Sequence, residues 1–224
     1  MKHIVILYIL LIFLFSSKTT KKKIVYFENS NIISESFYVN KKDTNIREGY
    51  YISFNKNGDT ICWGSYNNNQ KVSDWFYYSF LKYKIRKVTY KSDTIISIDK
   101  YTSDGHLIRK ESYKNGNLYN IELLTDRYGV DLDKGTFHNG NGKLLYYNDD
   151  GILSSSFIYN NGIRDGQFLS YWNNDSTKIK EIGYYSKDFE DSIWVSYAPW
   201  GGDTTHVIFY DKGKKVKDVF YTAR

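Results

Sequence analysis

Polar and apolar positions along this chain alternate in a register that repeats about every 24 residues. One set of positions reads Phe54, Tyr78, Tyr101, Thr125, Tyr147, Tyr171 and Tyr197, with steps of 24, 23, 24, 22, 24 and 26 residues. Half a period later a second set reads Tyr66, Tyr90, Tyr113, Phe137, Tyr159, Tyr185 and Tyr210. An aromatic or apolar side chain stands three residues before most members of the first set: Tyr51, Trp75, Ile98, Leu144, Phe168 and Trp194. Turn residues fall in phase with these positions. Gly58, Gly105, Gly151 and the substitute Asp175 come four residues after the first set; Asn69, Gly116, Gly140 and Gly162 come three after the second. Most of these glycines follow Asn or Asp, a pairing that reaches positive φ cheaply and closes tight antiparallel hairpins. A repeat is therefore two short strands and two turns. No long stretch shows an apolar stripe of helical period.

A unit this small cannot bury its own apolar face, so neighbours must pair or stack. The expected fold is all-β: an elongated, twisted array of antiparallel β-hairpins in an open meander sheet, built from about seven repeats. The best-preserved copy runs from Tyr147 to Tyr171 around Asn161-Gly162. Residues 49–221 form the array, and 18–48 read as lead-in strands carrying Ile24–Phe27 and Phe37–Val39. Two departures stand out. Between 119 and 134 the register slips, with Thr125 in an aromatic position, which predicts an irregular unit. From Trp194 to Asp203 the residues Pro199 and Gly201-Gly202 predict a longer loop, since Pro argues against a central strand.

The first residues have a different character. Lys2 precedes an apolar run from Ile4 to Phe15, closed by Ser16-Ser17, so residues 1–17 read as a signal peptide. The bases at Lys18, Lys21, Lys22 and Lys23 oppose translocation and leave an uncleaved membrane anchor as the alternative. The expected location is outside the cytoplasm.

Composition sharpens the class. Tyr contributes 23 of 224 residues and aromatics 18%, against one Pro and one Met, which favours strands and turns. The net charge of +6 is mild and interspersed, and no nucleic-acid motif accompanies it. The single Cys62 excludes an internal disulfide and a multi-cysteine zinc site. His106, His138 and His206 lack metal-ligand spacing and stand beside no nucleophile.

The phased pattern Gly-x-aromatic-x-x-Tyr followed by Tyr-x-Asn-Gly resembles the MORN-repeat variant family. Gly166-Gln-Phe168-Leu-Ser-Tyr171 and Tyr159-Asn-Asn-Gly162 are the clearest copies; Ser73-Asp-Trp75-Phe-Tyr-Tyr78 and Ser192-Ile-Trp194-Val-Ser-Tyr197 carry Ser for the leading Gly. The resemblance implies a β-hairpin array with a non-enzymatic binding or scaffolding role. Bacterial members are often catalogued as antitoxins of the YwqK type, and MORN-like arrays are associated with membrane lipids.

The candidate binding surface is Trp75, Tyr78, Tyr171, Trp194, Tyr197, Lys214 and Lys215. The aromatics either pack between neighbouring hairpins or line a groove for sugar rings or an extended peptide. Trp75 and Tyr78, three apart, point to opposite faces of a regular strand. Lys212, Lys214, Lys215 and Lys217 either blunt an edge strand or meet an anionic lipid surface. No catalytic residue, cofactor or metal set emerges. The expected function is non-catalytic binding of a protein or an envelope component such as a glycan, and not of nucleic acid. Two alternatives are an intracellular antitoxin-like protein and a carbohydrate-active envelope enzyme using the mid-array carboxylates, Asp131 and Asp133, with Glu122 and Asp126 upstream.

Overall fold

The computed structural model describes residues 19–173, 175–200 and 202–222. The leader segment lies outside the described residues. Among those residues there are sixteen strands and no helix, set in sequence order in two open antiparallel sheets of nine and seven strands. The chain divides into two compact units, residues 1–105 and 106–224.

The first unit holds β1 (Thr20–Tyr26), β2 (Ile33–Asn40), β3 (Arg47–Phe54), β4 (Thr60–Asn67), β5 (Gln70–Tyr78), β6 (Lys84–Lys91) and β7 (Thr94–Tyr101). Each pairs with the next. The expected lead-in strands are β1 and β2, and β2 pairs directly with β3, the first strand of the array. Phe37 on β2 packs into the same core as Tyr51 and Trp75.

The second unit begins with the hairpin of β8 (Leu107–Lys114) and β9 (Asn117–Leu124). Residues 125–141 then make isolated bridges only, Thr125 to Asp131 among them, where the register slip predicts an irregular unit. Seven strands follow: β10 (Gly142–Tyr147), β11 (Leu153–Asn160), β12 (Ile163–Trp172), β13 (Asp175–Ser186), β14 (Phe189–Tyr197), β15 (Thr204–Asp211) and β16 (Lys214–Phe220). Pro199 falls in the loop between β14 and β15.

The repeat maps onto the strands position by position. First-set residues close β3, β5, β7, β10 and β14, while second-set residues are penultimate in β4, β6, β8, β11, β13 and β15. The residues three before the first set form the core: Tyr51, Trp75, Ile98, Leu144, Phe168 and Trp194 are all buried. A register shift comes immediately before Phe54, Tyr78, Tyr147, Tyr171 and Tyr197. Such bulges bend a strand where it must turn back.

Turn side chains join neighbouring repeats. Asn69 (φ 66°) accepts from the Arg47 backbone N–H at 2.7 Å and returns its own N–H to Arg47 O at 3.0 Å. The pairs Lys71–Asp93 and Arg164–Asp188 repeat the arrangement. Each turn thereby extends the ladder of the strand beyond it, satisfying backbone groups a bare turn would leave open.

Candidate functional site

The two units carry the same steric lock. Gly64 on β4 and Gly183 on β13 lie directly under Trp75 and Trp194, and a Cβ at either glycine would sit 2.3 Å from an indole carbon. Each indole N–H donates to the carbonyl of the residue after that glycine, Ser65 at 3.2 Å and Tyr184 at 3.3 Å. Around Trp75 stand Tyr51, Tyr66 and Tyr90, with ring centroids at 5.5, 5.0 and 6.4 Å. Around Trp194 the equivalents are Phe168, Tyr185 and Tyr210, at 5.1, 5.2 and 6.0 Å. Trp75 is 1% exposed and Trp194 6%, so neither belongs to a binding surface. The reason is physical: an indole laid on a glycine, with its N–H already satisfied, gains nothing from solvent.

Cations complete the packed face. Four residues before Tyr51, Trp75 and Phe168 stand Arg47, Lys71 and Arg164. Arg47 lies 5.4 Å from the Tyr51 ring, Lys71 Nζ 4.4 Å from Trp75, and Arg164 4.2 Å from Tyr185. Their stems cover rings that a single sheet would leave wet. Burial, followed by the charge of Glu35, pushes the Tyr51 phenol up to about 12. In the second unit an ion pair is fully enclosed. Arg109 Nε lies 2.7 Å from Glu111 Oε1, with both side chains nearly solvent-free. Tyr113 donates to Glu111 at 2.7 Å, and Arg109 caps the Tyr146 ring at 4.3 Å. Tyr146 and Tyr159 share a hydroxyl bond of 2.7 Å. Burial pushes the Tyr113 and Tyr159 phenols well above the usual range, Glu111 adding to the first and Tyr146 to the second.

The opposite face of the first unit is not covered in this way. Trp63 pairs across the sheet with Phe76, their rings stacked at 4.3 Å. Tyr50 reaches Trp63 at 6.1 Å, and the Trp63 indole N–H donates to the Tyr78 hydroxyl at 3.0 Å. Tyr50 is 41% exposed, and the neighbouring Ile61 and Ile85 are exposed as well. Lys87 borders the patch through ion pairs to Asp74 and Asp99. Tyr78 thus belongs to an outer aromatic platform with Tyr50, Trp63 and Phe76, on the face opposite Trp75 as the strand spacing requires. Trp63 and Phe76 were not among the sequence candidates. The signal for Phe76 was its place next to the core aromatic Trp75, as Tyr50 stands next to Tyr51; Trp63 has no such neighbour.

Tyr171 and Tyr197 are half-buried in the second unit. Tyr197 lines an open cleft of about 430 Å³ with Ile179, Ile182, Ala198 and the exposed Trp200. Of the aromatics expected on a binding surface, Trp194 lies in the core of the second unit and Tyr78 belongs to the first. Lys214 and Lys215 are exposed on β16, a sheet-edge strand, and Lys215 Nζ pairs with Asp218 at 3.0 Å.

Two of the four mid-array carboxylates, Asp126 and Asp133, hold their own loop. Asp126 Oδ1 accepts from the Tyr128 and Val130 N–H groups, and Asp133 Oδ1 from Gly135. Among the described residues no group of three or more His, Cys, Asp or Glu side chains could hold a metal ion. Cys62 is free and half-buried, its Sγ 3.2 Å from Ser53 Oγ.

No family model and no curated protein matches the chain. Among solved structures the chain is similar to a segment of the TcdB2-TccC3-Cdc42 crystal structure, at 12% identity and a TM-score of 0.19. The TcdB2-TccC3 structure matches at 11% identity and the same TM-score. Each alignment covers 90% of this chain, and this chain spans 12% of the length of the chains it matches. Likenesses of this size carry no argument about fold or function.

Proposed function

We propose that this protein is a non-catalytic binding protein of the MORN-variant kind, and that the outer aromatic platform of its first unit is the surface that takes a partner protein. One observation carries the reading. Tyr50, Phe76 and Tyr78 each contact Trp63 on one sheet face, yet Tyr50 keeps 41% of its surface in solvent and Ile61 keeps 45%. Contiguous apolar and aromatic surface with a charged rim, here Lys87 with Asp74 and Asp99, is the composition of an interface centre and its border. The chemistry suits an extended apolar segment that lays side chains between the rings. The export reading rests on the apolar run from Ile4 to Phe15 and places the partner in the cell envelope; an intact, soluble Met1 terminus in the cytoplasm would overturn it.

The test is capture from an envelope fraction on the immobilised full-length protein, set against the Trp63→Ala/Phe76→Ala variant. Two central aromatics each contribute about 2 kcal/mol to a well-packed interface, so the variant should bind at least about 30-fold more weakly. A variant at the exposed Tyr184 of the second unit should bind normally. Equal capture by the wild type and the double variant refutes the reading.

A further inference from the structure

Three turns of the second unit converge on one cleft. Asn115, Asn139 and Asn161 each hold a positive φ, of 53°, 49° and 52°. Backbone bonds draw their turns together: Gly140 N–H donates to Tyr119 O at 2.8 Å, and Gly162 N–H to Gly140 O at 2.7 Å. Asn117 Nδ2 adds a bond to Asn161 O at 3.2 Å. The approach needs glycine. A Cβ on Gly162 would lie 2.3 Å from Leu118 O, and one on Gly140 would lie 2.9 Å from Gly162 N. What remains between the turns is a cleft of about 400 Å³, floored by the buried Leu118 and Gly140, with Lys114 and Tyr119 at its border. Asn115, Asn117, Asn139 and Asn161 line it, and no acidic residue does among the described residues.

Turn geometry alone does not call for these asparagines. Ser92, Lys187 and Lys212 hold φ of 49°, 51° and 48° at the first positive-φ position of comparable turns. Nor are the amides all consumed. The side chains of Asn115 and Asn139 make no hydrogen bond among the described residues, whereas Asn161 Nδ2 donates to Asn160 Oδ1. A carboxamide both donates and accepts, as a sugar hydroxyl does, and several amides around one concavity can answer adjacent hydroxyls at once. The missing carboxylate removes the ligand set a hard cation needs. A single lysine, lying 5.3 Å from the Tyr119 ring, is a poor match for a polyanion. We infer that this cleft is a subsite for a neutral sugar residue of an oligosaccharide. The site is separate from the aromatic platform of the first unit, and its failure would leave that reading untouched.

The experiment titrates the full-length protein with cellotetraose, maltotetraose and, as an acidic counterpart, tetragalacturonate, following the amide resonances of Leu118 and Gly140. The variant is Asn115→Gly with Asn139→Gly, which removes both amides while glycine retains the positive φ. The expected result is saturable shifts with at least one neutral tetrasaccharide, at a Kd on the order of 1 mM, weakened at least about tenfold in the variant. Absence of a saturable shift with both neutral sugars, unchanged binding by the variant, or tighter binding of tetragalacturonate each overturns the inference.

Discussion

Replacing Gly64 by alanine should unlock the packing of the first unit. Gly64 has no positive φ, so the backbone itself accepts alanine, and the effect is purely one of space. The new methyl would sit 2.3 Å from the Trp75 ring, where carbon atoms rest at about 3.5–4.0 Å. Trp75, 1% exposed and ringed by Tyr51, Tyr66 and Tyr90, has no free space to retreat into. Overpacking of this kind costs about 1–3 kcal/mol. Displacing the indole also strains its bond to Ser65 O, a loss of about 1 kcal/mol. Alanine in a strand returns about 0.5–1 kcal/mol of the entropy that glycine loses on folding. The net loss is about 1–3.5 kcal/mol, which lowers Tm by about 2–14 °C for a chain of this size. Urea unfolding followed by tryptophan fluorescence and circular dichroism measures it. Gly183→Ala should behave alike, because Trp194 meets the same clash. In a Trp75→Leu background, Gly64→Ala should cost far less, giving a coupling energy of about 2 kcal/mol. A loss below about 0.5 kcal/mol, or the same loss with and without Trp75, refutes the reasoning.

Other consequences follow from the enclosed polar groups. Glu111→Gln leaves the Arg109 guanidinium buried without its counter-charge and should cost about 3–5 kcal/mol by urea denaturation, while the Arg109→Met/Glu111→Leu pair should cost much less; a harmless Glu111→Gln contradicts the ion pair. The contribution of the buried tyrosines to stability should be level below about pH 10 and fall above it. The unfolded chain releases tyrosine protons near pH 10 while the folded chain retains them, Tyr51 to about 12 and Tyr113 and Tyr159 also raised by burial, so raising pH favours unfolding. A denaturant midpoint unchanged between pH 9 and pH 11 rules this out.

The strand-and-turn plan was readable from the sequence because the same physics acts in every repeat. An aromatic at the penultimate strand position and an Asn or Gly at positive φ recur, and recurrence makes a weak signal strong. Tyr66 and Asn69 illustrate it: each is unremarkable alone, and in phase with Tyr90 and Asp93 they mark a hairpin. The facing of individual side chains was harder to read. Trp75 and Trp194 looked like surface candidates because their identity says nothing about what lies beneath them. Gly64 and Gly183, eleven residues earlier, hold that information, and it becomes meaningful when the strands are paired. Phe76 went unseen because it flanks a periodic position without occupying one, and Trp63 because it stands three residues before Tyr66, outside every periodic set. The enclosed Arg109–Glu111 pair likewise carries no sequence signature beyond two charges on one face of β8. The amide cleft depends on three turns meeting, which their order along the chain does not disclose.

The division of the aromatics into a packed face and an available one is the claim on which the binding reading stands. Hydroxyl-radical footprinting of the full-length protein, read by mass spectrometry at individual side chains, tests it most directly. Tyr50, Trp63 and Phe76 should be modified readily, and Trp75 and Trp194 protected until the protein unfolds. Modification of Trp75 and Trp194 at the rate of Trp63 in the native protein would contradict the account.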